Sequence, residues 1–126
     1  HGFNNTVVYA EVSKEEATAI FKKVLDGKVI SIEEEKKYKT YTFRFVAKHY
    51  YDLGWTMQLH IASLRNNNAK MVESLGADTG FDSIDDNSIA YPLSRLLDSL
   101  EKENFERESF QSFFLPIKNE RISFKY

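Results

Sequence analysis

The stretch Gly54-Trp55-Thr56-Met57-Gln58-Leu59-His60-Ile61 decides the fold class. It is a short apolar run that follows a glycine and precedes the polar cluster Arg65-Asn66-Asn67-Asn68. Its length and flanks suit a buried parallel strand. A long amphipathic stretch leads into it. The order helix, glycine, buried strand is the pattern of an α/β protein.

Working outward, Ser13 with Glu16 and Ser31 with Glu34 are two capping boxes, and each predicts a helix start. In the first helix Ala17, Ile20, Phe21, Val24 and Leu25 fall on one apolar face, and Gly27 is the expected stop. The second helix is predicted to run to about residue 53 and to end at Gly54. Tyr38, Tyr41, Phe45 and Val46 share one of its sides. Ahead of both, residues 6–12 read as extended, with Val7, Val8 and Tyr9 together. Downstream, a short helix is expected over 69–75 and an Asp- and Gly-rich loop over 76–87. Ser88 is then the expected cap of a fourth helix. Pro92 sits in its first turn, where the missing N–H does little harm. Leu93, Leu96, Leu97 and Leu100 form its apolar stripe. Beyond Asn104 the pattern dissolves: residues 105–114 carry four Phe among Glu, Arg and Ser, and 121–126 read as an edge strand.

The 126 residues hold 17 Lys and Arg against 19 Asp and Glu, with 42% hydrophobic and 29% charged residues. This is the composition of a soluble globular chain of one domain at most. It excludes collagen-like, coiled-coil and wholly disordered classes. No apolar run approaches the roughly 18 residues of a membrane helix, so no membrane partner is expected. No charged-then-apolar leader is visible. The net charge of −2 argues against nucleic acid as the main partner. With no cysteine, disulfides, thiolate metal sites and cysteine nucleophiles are excluded, which fits a reducing compartment. Ten Phe, seven Tyr and one Trp are many for the length, and those of the last third are candidates for a partner surface.

Three blocks carry a resemblance. They are Gly54-Trp55 with Met57-Gln58-Leu59-His60, then Leu64-Arg65-Asn66-Asn67-Asn68, then Leu75-Gly76 with Asp78-Thr79-Gly80-Phe81-Asp82-Ser83-Ile84 and Asp86. Leu93-Ser94, Leu96-Leu97-Asp98 and Leu100 add a fourth. In this order and spacing they resemble the uronate isomerase (glucuronate isomerase) family. His1-Gly2 is similar to the end of that family's Asp-His-Gly element. The likeness covers residues 1–104. The remainder, 105–126, is an aromatic-rich tail that departs from the family: Leu115-Pro116 matches, but Ile117 stands where a Lys is expected.

The resemblance implies an amidohydrolase-type (β/α)₈ barrel. It implies interconversion of D-glucuronate with D-fructuronate and of D-galacturonate with D-tagaturonate, by proton transfer between C2 and C1. It also implies a divalent metal, usually zinc, in the full enzyme. A barrel needs at least about 200 residues. The family's His-x-His metal pair and its last-strand Asp and Arg are absent here. The expectation is therefore an α/β, helix-rich fragment of a TIM barrel with few strands, not a complete barrel. No metal or other cofactor is expected in this chain alone. The parent enzyme is expected to be cytoplasmic, to take a sugar acid as substrate and to form a homo-oligomer.

His60, at the C-terminal end of a barrel strand, would face the active site as the candidate catalytic residue; the alternative is a core histidine. Arg65 can grip a carboxylate at two points, or serve structurally by pairing with Asp78 or Asp82. Among the three asparagines, Asn67 is the candidate contact to sugar hydroxyls; the alternative is that they only shape the turn. Asp78, Asp82, Asp85 and Asp86 lack calcium-loop spacing and suit solvated or backbone-capping roles. His49 is expected at the surface. Trp55 and Met57 are expected in the core. A reading from a different class is a non-catalytic helical module that binds a partner or itself, since an open parallel strand edge is sticky.

Overall fold

The computed structural model describes residues 6–102 and the backbone of 110–112. Helix α1 spans Lys14–Leu25 and α2 spans Ile32–Asp52, followed by strand β1, Met57–Leu59. The two-residue strand β2 (Ser63–Leu64), helix α3 (Ala69–Leu75), strand β3 (Ser83–Ile84), helix α4 (Ala90–Glu101) and strand β4 (Phe110–Ser112) complete the order. The described residues are helix-rich with few strands and form no closed barrel.

Both long helices begin and end as their sequences dictate. Ser13 and Ser31 accept from the N–H of Glu16 and Glu34, and those glutamates reach back to the serine N–H groups. At the other end, Gly27 and Gly54 adopt φ of +73° and +64°, a conformation that L side chains resist. The resulting bonds, Lys28 N–H to Lys23 carbonyl and Trp55 N–H to Tyr50 carbonyl, are the six-to-one closures of Schellman turns.

One core cluster joins Val7, Phe43, Ala47, Met57, Leu59, Ile61, Leu93, Leu96 and Leu100. The leucine stripe of α4 thus meets α2 and β1. Residues 6–12 run across this core without entering a ladder. The buried Ala10 N–H donates instead to the Thr40 hydroxyl of α2 at 3.1 Å.

Several expectations are corrected. The strand is three residues long and alternates: Met57 and Leu59 are buried and Gln58 is exposed, so it presents one covered face, not two. Trp55, expected in the core, is 57% exposed, because the Schellman turn swings it out against the edge of Tyr50, with ring centroids 5.6 Å apart. On α2 the buried side is Thr40, Phe43 and Ala47. The Tyr38, Tyr41 and Phe45 side is offset from it and flanks α1. On α1 only Ala17 and Ile20 are buried, while Phe21, Val24 and Leu25 stay exposed. Ser88 does not cap α4; Ile89 holds that position without a side-chain bond. The expected edge strand at 121–126 lies outside the described residues. In the tail, the backbone of 110–112 pairs in parallel with β1, Met57 opposite Phe110 and Leu59 opposite Ser112.

Candidate active site

The pleat of β1 fixes the direction of the residue that follows it. Met57, Leu59 and Ile61 point into the core, so Gln58 and His60 point away from it. His60 is exposed just past the C-terminal end of the strand, and its imidazole makes no hydrogen bond or ion pair among the described residues.

After His60 the chain turns sharply. Ala62 and Asn66 take φ of +62° and +57°, the left-handed region that asparagine tolerates better than most residues. Between them, Ser63 and Leu64 pair antiparallel with Ile84 and Ser83. The Asp-rich loop therefore folds back over the turn and fastens it. Arg65 Nη1 lies 3.4 Å from Asp82 Oδ2. Asp82 Oδ1 accepts the Asn66 N–H at 2.9 Å. The Asn67 amide donates to the Ser83 hydroxyl, and its N–H donates to the Phe81 carbonyl at 3.0 Å. Asn66 Oδ1 accepts the Asp78 N–H at 2.8 Å. Asn68 turns the other way and caps α3 by accepting the Met71 N–H at 3.2 Å.

The structure thus brings Arg65 and Asn67 together in one clasped turn. No hydrogen bond or ion pair joins His60 to either among the described residues. Asn66 and Asn67 shape the turn and Asn68 caps α3, while Arg65 remains 47% exposed at its side chain, with donors left for a ligand. Asp85 is buried: its carboxylate accepts the Asn87 N–H at 2.9 Å, and its own N–H reaches the Ala62 carbonyl. Asp85 thus caps backbone, and Asp82 both accepts a backbone N–H and pairs with Arg65. Sequence reasoning offered Asp82 as one partner for Arg65 and missed Ser83. A two-residue ladder leaves no periodic signal to find.

Among the described residues no three His, Cys, Asp or Glu side chains cluster closely enough to hold a metal ion. A zinc ion would find no complete ligand set there, and His60 could offer one ligand at most. His49 lies exposed in the last turn of α2, edge-on to Phe45 at 4.5 Å. His1 lies outside the described residues. No helix among the described residues is long and apolar enough to cross a membrane.

Comparison with known proteins bears on this arrangement. The family described as glucuronate isomerase matches residues 1–110. The uronate isomerase of Clostridium acetobutylicum is 56% identical over 97 residues, covering 77% of this chain and 21% of that protein. The uronate isomerase of Bacillus subtilis is 52% identical over 100 residues, 79% of this chain and 21% of that protein. Among solved structures, the uronate isomerase of Thermotoga maritima superimposes with a TM-score of 0.66 at 25% identity, over 89% of this chain and 24% of that one. The chain spans about a fifth of the length of the curated relatives it matches.

Proposed function

The chain belongs to the glucuronate isomerase family, and on that premise we propose that it is a segment of a uronate isomerase. The reaction interconverts D-glucuronate with D-fructuronate and D-galacturonate with D-tagaturonate. A proton leaves C2 of the aldose as O1 takes one up, giving an enediol; a proton then returns at C1 as O2 gives one up, leaving the ketose. The observation that carries the reading is the position of His60. It stands at the C-terminal end of a parallel strand with its imidazole exposed. In a (β/α)₈ barrel that end of a strand faces the substrate.

In this reading β1 is one barrel strand, and the stretch with α3 and α4 between β1 and β4 is its crossover. An imidazole can both accept and donate a proton, which suits transfer of the C2 proton. Arg65 pairs with the uronate carboxylate through its planar fork. Asn67 bonds a sugar hydroxyl. A divalent metal, where the full enzyme binds one, would polarise the sugar oxygens. The substrate contacts and acid–base groups of a whole barrel exceed what this segment holds, so the chain alone is inactive. The parent enzyme works in the cytoplasm as a homo-oligomer.

A segment-replacement chimera tests this. Residues 1–104 are placed in the Bacillus subtilis uronate isomerase in exchange for its matching segment. Ketose formation from glucuronate is expected in the chimera and not in the isolated chain. A folded but inert chimera, or turnover by the isolated chain, would overturn the reading.

A second reading has one observation in its favour. Phe21 and Tyr38 stack at 6.0 Å beside exposed Phe45, and with Ala17, Tyr41 and Thr42 they line an open apolar groove between α1 and α2. Such a surface suits self-association.

A further inference from the structure

We propose that Asp82 is a positioning residue, one that sets the direction in which Arg65 presents its guanidinium to a sugar-acid carboxylate. This rests on the reading of Arg65 given above and adds to it a residue outside the substrate contacts. The Asp82 carboxylate serves the turn twice. Oδ1 holds the Asn66 N–H at 2.9 Å, and Oδ2 faces Arg65 Nη1 at 3.4 Å. One rigid group therefore fixes both the backbone just after Arg65 and the tip of its side chain.

The geometry around this carboxylate is itself constrained. Asp82 adjoins the Ser83–Leu64 ladder pair, and its neighbour Ser83 receives the Asn67 amide. Asp78, with φ +59°, donates its N–H to the side chain of Asn66. Consecutive residues Asp82 and Ser83 thus hold Arg65 and Asn67 respectively. Arg65 carries five N–H donors, and Asp82 engages it through one nitrogen. The other edge of the fork stays available to a carboxylate. A mobile arginine would lose rotamer freedom on binding; one already tethered loses less.

The test uses the 126-residue chain and follows the Arg65 Nε–H signal by NMR. In the unliganded wild type that signal is expected to be resolved from those of the other arginines. In Asp82→Ala it should collapse to the averaged position, and in Asp82→Glu it should return toward wild type. An unchanged signal in Asp82→Ala would overturn the proposal.

Titration of the chimera, which restores the remaining substrate contacts of the barrel, with D-glucuronate then separates the two ideas. Asp82→Ala should weaken binding roughly twofold to fivefold, the range of an exposed ion pair. The same change in an Arg65→Ala background should have no further effect. An equal loss in both backgrounds would mean that Asp82 acts without Arg65, which also overturns the proposal. An Arg65 signal that responds to Asp82→Ala in the chain, with glucuronate affinity unmoved by Arg65→Ala in the folded chimera, would uphold the tether and remove the carboxylate reading of Arg65.

Discussion

Lys23 on α1 and Glu34 on α2 meet at 2.8 Å, and the same Glu34 carboxylate accepts the Ser31 N–H at 2.7 Å. A capping-box glutamate thereby also bolts its helix to a neighbour. Glu16 does the converse: it accepts the Ser13 N–H at 2.9 Å and pairs with Lys37 of α2 at 2.7 Å. Each helix start is tied to the other helix by the residue that caps it.

Acid should loosen this pairing. The Lys23 ammonium, together with the Ser31 N–H, pulls the Glu34 carboxyl from its ordinary 4.5 down to about 2. Glu16 is lowered as well, first by Lys37 and then by the Ser13 N–H. A carboxylate depressed in the folded state contributes stability above its ordinary value and loses it as pH falls through the folded value. The melting temperature, followed by circular dichroism, should therefore fall between about pH 4.5 and 2. Glu34→Gln should flatten that fall while lowering stability at pH 7. A variant with the wild-type pH profile would contradict the assignment.

Removing a cap hydroxyl should cost about 1 kcal/mol. Ser31→Ala deletes the bond to the Glu34 N–H, 3.2 Å long, and Ser13→Ala its counterpart in α1. Urea denaturation of each variant is expected to shift the midpoint down with the slope unchanged. Ser88→Ala, outside α4 and without a capping bond, should shift it far less.

Leu96 is fully enclosed between α4, α2 and β1. Leu96→Ala should destabilise by roughly 2–5 kcal/mol, lost transfer energy plus cavity. Exposed Leu53→Ala should cost under about 0.5 kcal/mol. Thermal unfolding of the two variants gives the comparison.

What the sequence disclosed and what it hid follow one physical division. Ser13, Glu16, Ser31, Glu34, Gly27 and Gly54 act through bonds within a few residues, so the bounds of α1 and α2 were readable from their spacing. The leucine stripe of α4 was readable because periodicity records a single buried face. Trp55 and Phe21 misled because hydrophobicity does not say which apolar side chains find partners. Ser63–Leu64 pairing with Ser83–Ile84 was hidden because ladders of two residues are fixed by the turns that bring them together. The candidate site follows the same rule. His60 and Arg65 stood out by type and place, whereas Ser83 became visible only once the loop folded over the turn.

The groove of Phe21, Tyr38 and Phe45 should report on self-association. Phe21 and Phe45 are 46% and 54% exposed. Sedimentation of the chain should show a concentration-dependent rise in mass, and Phe21→Ser with Phe45→Ser should lower it. An association unaffected by the pair would place the contact elsewhere.

The most direct test of the central claim is turnover of D-glucuronate by the chimera with His60→Ala. If His60 moves the C2 proton, the rate should fall by roughly 10²-fold or more relative to the unsubstituted chimera, as loss of a general acid–base group does. A folded His60→Ala chimera that turns glucuronate over at the unsubstituted rate would contradict the account.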